Sequence, residues 1–497
     1  MREERVIKGL SLCVSAVALA GCSMSADAPV SSENAVLSGS EPFMALIREA
    51  GEAAEDGDLV YAGRLLDEAK LIEPENPGLW VEIARLRFRG GEHVQALDAA
   101  KYALELGPEF APALLLRAQL VRDAHGFSDA LVWFEAALEA NPDNPLALRE
   151  YAATLGDAGY NAEMLGVVRA LAEIAPKDPN VLYLQAVLAA RAGNPVLAKS
   201  LLERSGLSEE GVPAAMMLDA LVSLQEKNHD SAAETLQGLA QKQPGNGRIA
   251  ELLARALWLG GRDEELIERF VSRARQEDAS PYLVMLVGRA LERSGDRAGA
   301  VPFLERAYVG RVAGWVALPD LSNLPEPTRR MRTLVKANQT KAASRYVRQL
   351  RKKFSGSSDI AALSGDAAMA RRDYQGALEL YREAAMVRRA WPLTRKAAAA
   401  YRDFGDPVAS DVLIARHLVG EPRNTEALLL NAERAARNED WLRVAVLLDN
   451  AIDLGAGNDP RLLKLRGIAA RALGNEDEAR RFERMTWDLH PGILPTG

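Results

Sequence analysis

Cysteine is nearly absent from this chain. The 497 residues hold only Cys13 and Cys22, so everything after residue 22 lacks a thiol to cross-link, to ligate a metal or to act as a nucleophile. Stability there must come from packing alone. Aromatic residues are scarce at 6% while hydrophobic residues reach 48% and alanine is abundant, which favours close helix–helix contact over a sheet-centred core. No strand-length alternation of apolar and polar residues occurs. The formal charge is −8, without the basic excess that a nucleic-acid footprint needs. The five histidines, His93, His125, His229, His417 and His490, fall in no HExxH or other metal-ligand spacing. There is no GxSxG, no Walker loop, and no GxGxxG ahead of a helix; Gly245-Asn246-Gly247 reads as an interhelical turn. The pattern predicts neither an enzyme nor a cofactor site.

A largely apolar stretch, Gly9 to Ala18, is too short to span a bilayer and has the length of a signal-peptide core. It runs into Leu19-Ala20-Gly21-Cys22. That tetrad resembles the lipobox of bacterial lipoproteins, in which small residues admit the peptidase and the cysteine thiol accepts a diacylglyceryl group. The resemblance implies cleavage after residue 21 and lipidation of Cys22. Glu3 and Glu4 dilute the positive charge of Arg2, Arg5 and Lys8; a start at Val6 would leave a cleaner basic leader. Ser23 follows the cysteine where an Asp would signal inner-membrane retention, so the expected address is the outer membrane, lipid-anchored, at the periplasmic face. Residues 22–40 read as a disordered tether rich in Ser, Ala, Asn and Pro. Extended, Ser23 to Ser40 would reach about 60 Å at ~3.3–3.6 Å per residue.

Beyond the tether, proline keeps time. Pro74, Pro108, Pro142 and Pro176 are spaced 34 residues apart, and Pro244 lies two periods further. Ala62, Ala96 and Ala130 precede their prolines by twelve residues, and Ala69, Ala103 and Ala137 by five. Large Leu66 and Phe134 stand between them. Such a period requires paired antiparallel helices, with alanines where backbones cross and proline ending the second helix. Gly288, Ala300, Leu304 and Ala307 keep the register, as do Gly365, Ala377, Tyr381 and Ala384. This chain resembles the tetratricopeptide repeat family over nearly the whole length after the tether. The resemblance implies an all-α solenoid in two arrays: about eight repeats over 41–312, an elbow at 313–327 carrying Pro319, Pro325 and Pro327, and about five repeats over 328–497.

In that family the first helix of each repeat lines a concave groove. Carried over by register, the groove takes Val81, Arg85, Phe88, Leu115, Gln119, Arg122, Arg149, Tyr183, Val187, Met217, Leu221, Trp258, Tyr282, Met285 and Arg289. Arginines beside large apolar groups suit partner anchors; packing against the next repeat is the competing role. The Lys/Asn carboxylate clamp of some family members is missing. Between Thr328 and Phe354 there are ten cations and no acid. Lys341, Arg345, Arg348 and Lys352 share one helical face, facing either an anionic partner or the acidic first array.

The expected function is a non-enzymatic scaffold holding protein partners in the groove, similar to repeat lipoproteins that assist assembly of pili, secretion systems, exopolysaccharide export or outer-membrane proteins. Recruitment of cell-wall hydrolases or direct binding of peptidoglycan is the alternative. Oligomeric state is left open.

Overall fold

The computed structural model describes residues 38–244, 246–276, 279–309 and 325–489. The signal segment, Cys22 and the tether up to residue 37 lie outside the described residues, as do 310–324 of the elbow region.

Among the described residues every regular element is helical, and the helices come in consecutive antiparallel pairs, as the period predicts. The first eight pairs are α1 Glu41–Glu55 with α2 Leu59–Ile72, α3 Pro77–Arg89 with α4 His93–Leu106, α5 Ala111–His125 with α6 Phe127–Ala140, α7 Pro145–Ala158 with α8 Asn161–Ile174, α9 Pro179–Arg191 with α10 Pro195–Ser205, α11 Pro213–Gln225 with α12 His229–Lys242, α13 Gly247–Leu259 with α14 Asp263–Ala274, and α15 Pro281–Arg293 with α16 Arg297–Val309. Five more follow: α17 Pro325–Lys336 with α18 Thr340–Lys353, α19 Ser358–Met369 with α20 Tyr374–Ala385, α21 Trp391–Phe404 with α22 Pro407–Gly420, α23 Thr425–Arg437 with α24 Trp441–Ala451, and α25 Pro460–Ala472 with α26 Glu476–Leu489.

Local chemistry explains the boundaries. Asn76 and Asn144 cap the first turns of α3 and α7 by accepting from the backbone of Gly78 (2.9 Å) and Ala147 (3.1 Å), which satisfies amides that have no helical partner. Proline stands at the start of α3, α7 and α21, where its missing N–H costs nothing. The same rule places Pro325 and Pro327 in the first turn of α17, so the last three residues of the stretch read as an elbow are helical. The period alanines are the crossing points: Ala62, Ala96, Ala130, Ala69, Ala103 and Ala137 are all 0–1% exposed. At Gly365 a Cβ would collide with the Tyr381 ring, so this helix pair closes only on glycine.

The described residues form two compact units, each discontinuous in sequence. One comprises 38–181 with 325–421 and the other 182–309 with 422–489. In the first unit the later helices dock edge-on against the α3–α4 and α5–α6 turns. Val94 N–H donates to the Gly356 carbonyl at 3.2 Å, and Arg389 N–H to the Asp123 carbonyl at 2.9 Å. The Arg389 guanidinium reaches the His125 carbonyl at 2.6 Å. Between these contacts two glycines meet. Gly126 has φ +105°, and a Cβ there would stand 2.6 Å from the Gly420 carbonyl oxygen; a Cβ on Gly420 would stand 2.6 Å from the His125 carbonyl. Backbones approach this closely only where neither side carries a side chain. In the second unit, α16 packs on α25.

Candidate functional site

The groove positions fall on the first helices of their pairs, and their surroundings differ. In the first unit Val81 and Leu115 are buried. Arg85 is half-buried and bound to Glu82 at 2.6 Å; Phe88 is half-buried, tilted against the His93 ring at 4.9 Å. Arg122 is the most embedded: its Nη1 donates to Glu150 at 2.8 Å and to Thr154 at 3.1 Å, and its guanidinium lies 5.7 Å from the Phe134 ring centre. Burial opposes the Arg122 charge, but Glu150 and Asp123 more than compensate and hold its pKa above the usual range. Arg149 approaches Asp178 only to 3.9 Å and keeps a third of its side chain in water.

In the second unit Tyr183, Val187, Met217, Leu221, Met285 and Arg289 are all buried. Arg289 binds Glu292 at 2.8 Å, yet burial still lowers its pKa. Trp258 and Tyr282 stay half-buried. The Arg293 guanidinium stacks 5.4 Å from the Trp258 ring centre and donates to the Trp258 carbonyl at 2.7 Å. Burial pushes the Tyr282 phenol up, despite nearby Arg255. Arg85, Phe88 and Arg149 in one unit, and Trp258 and Tyr282 in the other, therefore combine partial solvent access with a fixed position on a helix.

Two groups of polar residues escaped the sequence reading. At the docked edge, Ser358 N–H donates to His93 Nδ1 at 3.1 Å and the Ser358 hydroxyl lies 2.9 Å from the same nitrogen. Burial lowers the His93 pKa, with Arg388 adding to the effect and Asp359 opposing it. Deeper in the same unit, Asp366 on α19 is fully buried and receives Lys396 Nζ at 2.7 and 2.6 Å and the Tyr381 hydroxyl at 2.8 Å. Burial pushes the Asp366 carboxyl up to about 6 even though Lys396 and Tyr381 favour its charge. Position alone carries no sign of either group: His93 begins a helix after an ordinary turn, and Asp366 follows the register glycine.

The basic segment forms α17 and α18. Lys341, Arg345, Arg348 and Lys352 are exposed. Arg351 turns the other way and grips Glu383 with a fork of 3.1–3.2 Å contacts. Arg330 lies 4.5 Å over the Tyr346 ring, and Arg329 pairs with Glu326 at 3.0 Å.

A cleft of about 180 Å³ between α4 and α5 is lined by Leu97, Lys101, Arg117, Val121 and His125, with Met386 at its rim. It is smaller than the ~300–1,000 Å³ of ordinary ligand pockets. Among the described residues no group of three or more His, Cys, Asp or Glu side chains could hold a metal ion, and no helix is long and apolar enough to cross a membrane.

The family model described as tetratricopeptide repeat matches residues 81–145 and 328–393. A curated plant protein, Protein CTR9 homolog of Arabidopsis thaliana, is 31% identical over 101 residues, covering 20% of this chain and 9% of its own length. The chain thus spans about a tenth of the curated relative it matches. Among solved structures, a tetratricopeptide repeat protein from Parabacteroides merdae is similar at 17% identity over 55% of this chain and 94% of that one, with a TM-score of 0.28. The TPR domain of P58(IPK) is similar at 14% identity over 87% and 98%, with a TM-score of 0.26. Naa15/Naa10 bound to HypK-THB is similar at 16% identity over 90% and 75%, with a TM-score of 0.27. Among the described residues the chain is a series of packed helix pairs, and at 81–145 and 328–393 those pairs match the tetratricopeptide repeat.

Proposed function

We propose that this protein is a non-catalytic scaffold, anchored through lipid on Cys22 to the outer membrane, that holds protein partners at the periplasmic face during assembly of an envelope machine. The observation supporting the interaction role is the set of half-buried anchors on first helices, Arg85, Phe88 and Arg149 in one unit and Trp258 in the other. Large or charged groups held in place but still reachable by water lose little entropy on binding. The lipobox, the apolar leader and the Ser-rich tether support the address.

Cross-linking and capture from solubilised envelope tests the reading. Wild-type protein should retain specific envelope proteins, and Arg149→Ala with Trp258→Ala should lose them while melting unchanged. Capture that is indifferent to both substitutions would remove the groove from the function, whatever the fate of the anchor.

A further inference from the structure

On α18 itself Arg351 holds the Glu383 carboxylate. Lys341, Arg345 and Lys352 are exposed and form no salt bridge to any described residue. With Arg348 they make a stripe along one helix face, about 16 Å long at ~1.5 Å rise per residue. The positive surface also has width: Arg330 of α17, held against Tyr346 at 4.5 Å, extends it sideways onto the neighbouring helix.

We infer that this two-helix face docks on an anionic lipid bilayer. An acidic peptide needs a cleft or a single line of cations; this patch spreads across the outer surface of two antiparallel helices, which matches a plane of head groups. At its end Phe354 is 42% exposed, with Lys353 Nζ 5.2 Å from its ring centre. That pairing of an aromatic with a cation suits the head-group boundary, where apolar rings insert while ammonium groups stay at phosphate level. The chain is otherwise acidic, with a net charge of −8, so an anionic membrane attracts this face and repels the remainder, and docking sets the orientation of the first unit. The inference rests on the lipid-anchored reading for its supply of a nearby membrane. Its test dispenses with the lipid, so the two can fail separately.

The experiment is flotation of the chain from Ser23 onward, which lacks leader and acceptor cysteine, with vesicles of phosphatidylcholine containing phosphatidylglycerol or of phosphatidylcholine alone. The protein should float only with phosphatidylglycerol and should be released by 0.5 M salt, at which the screening length falls to about 4 Å. Lys341→Gln/Arg345→Gln/Lys352→Gln should lower the partition coefficient about a hundredfold, at about fivefold per cation. Arg345→Gln/Lys352→Gln should lower it about 25-fold, and Lys341→Arg/Lys352→Arg should leave it unchanged. Far-ultraviolet circular dichroism confirms that each variant is folded. No dependence on phosphatidylglycerol, equal flotation of the triple variant, or retention on immobilised polyglutamate without vesicle binding would each overturn the inference; the last would assign the patch to an acidic protein instead.

Discussion

Lys396 Nζ lies 2.6 Å from Asp366 Oδ2, and both side chains are cut off from water, 6% and 0% exposed. They sit on first helices of adjacent pairs, α19 and α21, and Tyr381 of α20 completes the cluster from between them. Taking two charges out of water is costly, and the attraction between them offsets that cost only while both are present. Removing one partner is therefore worse than removing all. Lys396→Met should destabilise the protein by about 3–5 kcal/mol at about pH 8, because it leaves the Asp366 charge buried without a counter-charge. Asp366→Leu/Tyr381→Phe/Lys396→Met should recover most of that loss. Urea denaturation measures both, and equal instability of the single and triple variants would show that the cluster is held by shape rather than by charge.

The same carboxyl gives a pH dependence with a defined sign. Its pKa rises from 3.8 to about 6 on folding, with burial as the main cause, so between those values the folded state holds the proton more tightly than the unfolded chain. The contribution is complete below about pH 4 and is lost as pH rises through about 6. His93 works the other way. Its folded pKa lies below the ordinary 6.5, so its contribution is present above that value and is lost as pH falls, when the proton displaces the Ser358 N–H from Nδ1. In denaturation midpoints measured between about pH 4 and 7, Asp366→Asn should remove the fall in stability as pH rises towards 6, and His93→Gln should remove the opposite trend, the loss as pH drops below 6.5. A His93→Gln curve parallel to wild type throughout would remove the histidine from the linkage.

Gly420→Ala isolates the docked edge from backbone strain. Gly420 ends α22 with an ordinary helical backbone, so alanine brings a clash with the His125 carbonyl and crowds the Arg389 guanidinium at 3.1 Å, without backbone strain. Overpacking of this kind costs about 1–3 kcal/mol. Amide exchange at Arg389 and Val94, whose N–H groups donate across the edge, should accelerate together. Gly159→Ala is the control: Gly159 has φ +97°, but a Cβ there would meet nothing within 4 Å, so the substitution carries strain without a clash and should leave those amides protected.

Arg122 and Arg149 should separate on substitution although both occupy groove positions. Arg122→Ala strands the Glu150 carboxylate in a partly buried network, at a cost of about 1–3 kcal/mol. Arg149→Ala removes a loose, partly exposed contact with Asp178, worth less than about 1 kcal/mol. Thermal melting tells them apart, and only a substitution that leaves melting unchanged can report partner binding.

If Cys22 carries the anchor, Cys22→Ala should abolish palmitate incorporation and release the protein from the membrane fraction at high salt, where charge-driven docking through α18 is screened. An unlabelled variant that stays with the membrane at high salt would refute the lipid anchor.

The helix pairs were legible because their determinants are local and repeat: alanine where Ala62, Ala96 and Ala130 cross a neighbour, and a capping Asn followed by proline at α3 and α7. The exposed row on α18 was legible for the same reason, since helical spacing alone puts those cations on one face. The docked edge left no such trace. Gly126 and His93 have the composition of turn residues, and their partners Gly420 and Ser358 lie outside any shared period. Nor could register say which groove residues would be enclosed. Tyr183 and Arg289 are buried while Trp258 keeps contact with water, and the difference depends on what packs over each position.

The edge also bears on how the protein is made. A solenoid whose repeats touch only their neighbours can fold from either end as it emerges. Here His93 must find Ser358 across 265 residues and Arg389 must find His125 across 264. Each search closes a long loop before any contact rewards it. The α5–α6 turn consequently waits with open carbonyls until Arg389 has arrived, and its bare Gly126 backbone stays uncovered until Gly420 follows. A nascent chain halted before Ser358 presents the whole of that waiting edge to chaperones, proteases and its own copies.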